Sequence, residues 1–104
     1  MDVYDPVTST WSTPFIWESA TSNGVAFTEG NDIYLAGGYT QNYTTPGTLV
    51  SYNLVTKEWN TDHPPMPTGR GDIRVATTDS ENFYVMGGFS DTNWVTYSRS
   101  VTLI

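Results

Sequence analysis

The 104-residue sequence predicts an all-β fold made of four-stranded antiparallel meanders, about two per chain. Three observations carry this. The stretch Asn31-Asp-Ile-Tyr-Leu-Ala-Gly-Gly-Tyr-Thr40 returns as Glu81-Asn-Phe-Tyr-Val-Met-Gly-Gly-Phe-Ser90, which sets the glycine pairs Gly37-Gly38 and Gly87-Gly88 50 residues apart. A second marker runs beside it: Tyr4 precedes Trp11 by 7, and Tyr52 precedes Trp59 by 7, with 48 residues between the two pairs. Helical periodicity is nearly absent; short alternating runs are broken by Gly, Pro, Asn and Asp, the pattern of strands and turns.

Taken in order, residues 1–5 read as the end of a strand, 6–10 as a turn, and Trp11 opens a short strand. Residues 13–22 form a long connection. Then come a strand at 24–28, a hairpin turn at 29–32 and a returning strand at 33–36. A second long connection covers 39–47. Strands follow at 48–53 and 57–60, around a turn at 54–56. Residues 62–71 hold three prolines, which remove donors and restrict φ, so this segment reads as irregular. Strands at 73–77 and 83–86 flank a turn at 78–81. Residues 89–98 read as a connection, and 101–104 begin a strand. The predicted pieces are an end of one meander with its connection (1–22), a complete one with its connection (23–70; strands within 23–61), and most of a further one (71–104).

Composition narrows the function. The formal net charge is −7, from 4 basic and 11 acidic side chains. Nucleic-acid and anionic-membrane surfaces both need clustered Lys and Arg, so neither partner is expected. There is no cysteine, which excludes disulfides, zinc thiolates and thiol nucleophiles. No apolar run reaches the length of a membrane-spanning helix. The N-terminus has neither the basic start nor the apolar core of a signal peptide. A start inside a repeat suggests that Met1 was added to an excised piece, or that a longer precursor was cut. His63 is the single histidine, so a histidine relay or His-rich metal site is not expected, and a proline-flanked surface position is. No catalytic residue, metal site or cofactor is expected. Asn42-Tyr-Thr44 is the one N-glycosylation sequon, which makes Asn42 a modification candidate. With low Lys and abundant Thr, Ser and Asn, it leans toward an extracellular setting.

The double glycine followed by spaced Tyr and Trp resembles the kelch repeat, and the match spans nearly the whole chain. Arg70, ahead of the strand at 73–77, also matches that family's pattern; Ser19 to Thr21 stand at the corresponding place in the middle repeat. The resemblance implies kelch-type β-propeller blades, in a ring that needs more blades than this chain holds. The expected partners are therefore copies of the chain or the remaining blades of a longer one. Gly37, Gly38, Gly87 and Gly88 would adopt positive φ and leave room for a close-packed aromatic ring. Trp11 and Trp59 would fill spaces between blades, with Tyr4 and Tyr52 beside them; a buried Trp removes on the order of 200 Å² from water.

Meander strands alternate direction, so both kinds of long connection leave one face. That loop face carries Phe15, Trp17, Tyr39, Tyr43, Arg70, Phe89, Trp94 and Tyr97. Aromatics with Arg are the composition of binding hot spots. Trp17, Tyr39, Tyr43, Arg70, Trp94 and Tyr97 are the partner-binding candidates. The expected function is a non-catalytic binding or interaction scaffold, taking a protein or small ligand on the loop face. The alternatives are part of a propeller enzyme of the carbohydrate oxidase or sugar epimerase type, or a structural, self-assembling repeat module.

Overall fold

A computed structural model describes residues 1–13, 21–79, 81–90, 93–97 and 101–103; for the last two segments and Val75 only the backbone is described. The described chain is all-β, and its sheets are antiparallel. Hairpin β1 (Val3–Asp5) and β2 (Thr10–Ser12) comes first. A four-stranded sheet follows: β3 (Val25–Glu29), β4 (Asp32–Ala36), β5 (Leu49–Asn53) and β6 (Trp59–Asn60), paired in chain order. A three-stranded sheet pairs β7 (Val75–Thr78), β8 (Phe83–Met86) and β11 (Val101–Leu103), with β8 in the middle. Between β8 and β11 lies a small irregular hairpin of β9 (Phe89–Ser90) and β10 (Asn93–Tyr97). The sequence expectation for 89–98 was a connection without strands. The run Asn93-Trp-Val-Thr-Tyr97, rich in aromatic and β-branched residues, instead suits a pleated surface.

Turn chemistry explains where strands stop. Asp5 Oδ1 accepts the Val7 and Thr8 N–H groups at 2.9 and 3.4 Å. Asn53 Oδ1 accepts those of Val55 and Thr56 at 2.9 and 2.8 Å. Four residues past each of these lies a left-handed residue, Ser9 (φ 57) and Lys57 (φ 60). One turn is thus built twice, 48 residues apart. It also starts β6 at Trp59 rather than at the expected Lys57, because the Lys57 N–H turns back to the Asn53 carbonyl at 2.8 Å. Asp79 caps the β7–β8 turn likewise, through Glu81 and Asn82 at 2.8 and 2.6 Å. These bonds hold the Asp79 carboxyl below the usual carboxylate range.

The expected strand at 73–77 begins two residues late. Asp72 is left-handed (φ 51) and the Ile73 N–H goes to the Asn23 carbonyl at 3.4 Å, so both lie outside the ladder. Asn23 is left-handed too (φ 59), just ahead of β3. The backbone of Ser22 exchanges bonds with Tyr39 (3.0 and 2.7 Å), and that of Gly71 with Phe89 (2.9 and 2.9 Å). The segment after each glycine pair therefore closes on the approach to its own sheet's first strand.

The two larger sheets pack against each other through β3 and β7. Their core is Ala36, Leu49, Met66, Ile73 and Val85, with Val25, Phe27, Tyr34 and Ala76 against it. Strand alternation places Val25, Phe27, Tyr34, Ala36 and Leu49 on one face of the first sheet. Phe27, Tyr34 and Phe83 form a ring cluster, with centroids 4.8–5.4 Å apart.

The Tyr–Trp marker is a cross-strand pair. Tyr4 faces Trp11 and Tyr52 faces Trp59, each with centroids 5.0 Å apart. Their burial differs. Tyr52 is 4% exposed and Trp59 half-buried, whereas Tyr4 and Trp11 are 46% and 70% exposed. The expectation that Trp11 fills a packed space is not met within the described chain, because β1 and β2 contact only each other among the described strands.

Candidate functional site

At the end of the sheets where β4 and β8 stop, the described parts of the long connections meet beside the glycine pairs, Ser22 on Tyr39 and Gly71 on Phe89. Gly37 and Gly38 have φ of 68 and 98, Gly87 and Gly88 of 80 and 94, conformations open to glycine and costly for other residues. A Cβ on Gly37 would stand 2.6 Å from both the Arg70 carbonyl oxygen and Ile73 Cδ1. One on Gly38 would stand 2.7 Å from the Ser22 carbonyl. The room beside the first pair is thus taken by backbone, Ile73 and Met66, not by the aromatic ring expected there. The close-packed ring is Tyr39, and it lies on Gly71, where an added Cβ would overlap it.

Arg70 sits at the junction of the two repeats. Its carbonyl accepts the Gly38 N–H at 2.8 Å. Its guanidinium donates to the Gly87 carbonyl at 3.2 Å and, through Nε, to the Thr68 carbonyl at 3.2 Å. Main chain and side chain therefore tie one glycine pair to the other. Arg70 is fully buried, and desolvation lowers its pKa. The expectation of Arg70 as an exposed partner contact is corrected: 0% exposure leaves no surface for a ligand.

Tyr39 is corrected in the same way. It is 7% exposed, and its hydroxyl donates to Asp72 Oδ2 at 3.0 Å. Asp72 Oδ1 accepts from Asn23 Nδ2 at 2.6 Å, so one carboxylate links the two left-handed residues that precede β3 and β7. Arg74, two residues on, is exposed. Burial and the Asp72 bond raise the Tyr39 pKa, and burial with nearby Asp32 and Glu29 raises that of Tyr34. A raised phenol pKa means that the folded chain holds the proton more tightly. Its contribution is complete below the ordinary tyrosine value near 10 and is lost as pH rises through the raised value. Urea midpoints measured from neutral pH upward should thus fall beyond about pH 10, and Tyr39→Phe should flatten that fall. At neutral pH the same substitution should cost about 1–2 kcal/mol, because Asp72 loses a donor. An unchanged alkaline slope in the variant would refute this assignment.

Of the remaining partner-binding candidates, Tyr43 is the one on view. It is 69% exposed and left-handed (φ 61). A clasp holds it there. Thr40 and Thr44 share a hydroxyl–hydroxyl bond of 2.6 Å, the Thr40 N–H donates to the Thr44 carbonyl at 2.9 Å, and the Tyr43 N–H donates to the Thr40 carbonyl at 2.9 Å. Asn42, the sequon residue, is exposed in the same turn. Trp17 and Phe15 lie outside the described residues, and the side chains of Trp94 and Tyr97 do as well. Phe89 is half-buried.

Thr40 also lines a pocket of about 490 Å³ at this end, with Pro46, Thr48, Leu49, Val50 and Pro65. A second, polar cleft of about 480 Å³ lies toward the short turns, among Asp32, Tyr34, Ser51, Asn53, Glu58 and His63. His63 is not the surface residue its prolines imply. It is half-buried, its Nε2 lies 2.9 Å from Ser51 Oγ, and its ring centroid lies 5.5 Å from that of Tyr34. The sequence alone missed this contact, since nothing in the spacing of positions 51 and 63 signals it. Among the described residues no carboxylate bonds the other imidazole nitrogen, and no group of three His, Asp or Glu could hold a metal ion.

The chain is thus an all-β protein of antiparallel sheets, with Arg70 bonded to both glycine pairs. Comparison against protein families and against curated proteins returns no match to it.

Proposed function

We propose that the chain is a binding scaffold without catalysis of its own, built from kelch-type propeller blades, and that it takes a ligand or protein partner at the loop end. The Tyr43 clasp carries this reading: an exposed aromatic ring on a hydrogen-bonded turn whose Thr40 also lines a concave and largely apolar pocket. Exposed rings next to preformed pockets are favourable binding elements. The pocket is of ligand size. The four-stranded meander, its partial repetition and the twice-built turn support the blade assignment.

Phenol and cyclohexanol, as small apolar probes, test the site by NMR. Amide shifts should concentrate on 40–50 and 61–65, and Tyr43→Ala should weaken them several-fold with no loss of stability. Shifts scattered over the surface, or a Tyr43→Ala variant that binds the probes unchanged, would reject the loop end as the binding surface.

A further inference from the structure

The two cavities on the first sheet adjoin, and their linings differ in kind. The apolar pocket at the loop end, about 490 Å³, and the polar cleft, about 480 Å³, share Thr61 and His63 in their walls. Strand alternation puts Leu49, Ser51 and Asn53 on one face of β5. Leu49 lines the pocket, and Ser51 and Asn53 line the cleft. The two spaces therefore follow one another along that face, with one two-residue step of roughly 7 Å between their nearest β5 side chains. The chain leaving β6 runs beside both, and the 2.9 Å contact of His63 Nε2 with Ser51 Oγ brings it onto β5 where they meet.

The cleft is acidic where the pocket is not. Asp32, Glu58 and Asp62 line it, and among the described residues no Lys or Arg lines either space. Asp32 Oδ1 accepts from Asn53 Nδ2 at 2.9 Å, which fixes that carboxylate across β4 and β5. Its charge is felt inside the cleft: after burial, Asp32 is the next cause of the raised Tyr34 pKa. The Asp62 N–H donates to Asn60 Oδ1 at 2.9 Å, which sets Asp62 at the mouth beside the shared Thr61 and His63. A cation entering here meets carboxylates with no basic side chain of the lining to displace. An acidic face that is merely solvated gives way to more polar surface. This one gives way to a concave wall of Leu49, Pro46 and Pro65, which suits a carbon skeleton.

We propose that the ligand of the loop end is a small amphiphilic amine, with its apolar group against Leu49, Pro46 and Pro65 and its ammonium reaching past His63 among Asp62, Glu58 and Asp32. The inference rests on the loop-end binding reading and adds the class of ligand to it. The two ends of such a molecule do different work. Burial of the apolar group supplies affinity. The carboxylates select the sign of the charge, since an anion of the same shape is repelled and a neutral one gains nothing from them.

The probes 4-phenylbutylamine and 4-phenylbutanol, alike in shape and different in charge, test this by NMR titration of the full chain at low salt. The amine should bind about tenfold more tightly than the alcohol. Both should shift amides of 40–50 and 61–65, and the amine alone should also shift 32–34 and 51–58. Glu58 and Asp62 are exposed, so a Glu58→Gln/Asp62→Asn variant keeps the fold. It should bring the amine to within about twofold of the alcohol and leave the alcohol unchanged. Glu81→Gln, which removes an exposed carboxylate outside the cleft, should preserve the advantage of the amine. Equal affinities of the two probes overturn the inference and leave the loop-end reading standing. So does an advantage that survives the double variant, or one that Glu81→Gln abolishes as well. If neither probe binds, both readings fall.

Discussion

Replacing Arg70 by Met should destabilise the protein by about 3 kcal/mol, and replacing it by Lys by about 2 kcal/mol. Met keeps most of the apolar stem but leaves the carbonyls of Gly87 and Thr68 without the donors the guanidinium supplies. Hydrogen bonds from a charged donor contribute about 1.5–3 kcal/mol, and a buried acceptor left alone costs more than an exposed one. Lys keeps the charge but not the fork that spans two carbonyls, so it should recover only part of the loss. The loss should appear in urea midpoints, without any change in apolar-probe binding beyond that caused by unfolding. A change within about 0.5 kcal/mol would place Arg70 among ordinary surface residues and remove the argument that it joins the two repeats.

The glycine pairs, alike in sequence, should respond unequally to alanine. Gly37→Ala should cost about 3–5 kcal/mol and Gly87→Ala about 1–2 kcal/mol. Both residues have positive φ, so both variants bear the backbone cost of a left-handed alanine. Among the described residues only Gly37 would bring the new methyl against solid neighbours, the Arg70 carbonyl oxygen and Ile73 Cδ1 at 2.6 Å. At Gly87 nothing among the described residues lies within 4 Å. Paired denaturation curves decide the matter, and equal losses would mean that φ alone governs these positions.

Local rules carried the sequence reading far because the features they address are local. The seven-residue Tyr–Trp spacing matches a hairpin whose turn is closed by an Asp or Asn side chain, and the structure places each pair directly across two strands. The alternation in 25–36 and 49–53 is met by a meander in the expected order. Misses at strand ends trace to Lys57 and Asp72, left-handed positions for which neither residue type is a strong signal. The candidate site was less legible. Tyr39 and Arg70 look like surface hot spots in one dimension, yet Asp72 and Gly71 hold the first and two carbonyls hold the second. Those partners come from as far as 33 residues along the chain, a separation that no spacing rule covers.

The sequence by itself determined the all-β class, the repeat and the need for glycine at 37, 38, 87 and 88, because strand period and backbone sterics act within a few residues. Only the tertiary structure decided which loop side chains are buried. It set Arg70 between the two glycine pairs, turned His63 onto Ser51 and left Tyr43 outward. The physical reason is that burial depends on what a second segment brings within contact distance. A buried polar group must then find its partners wherever packing has placed them.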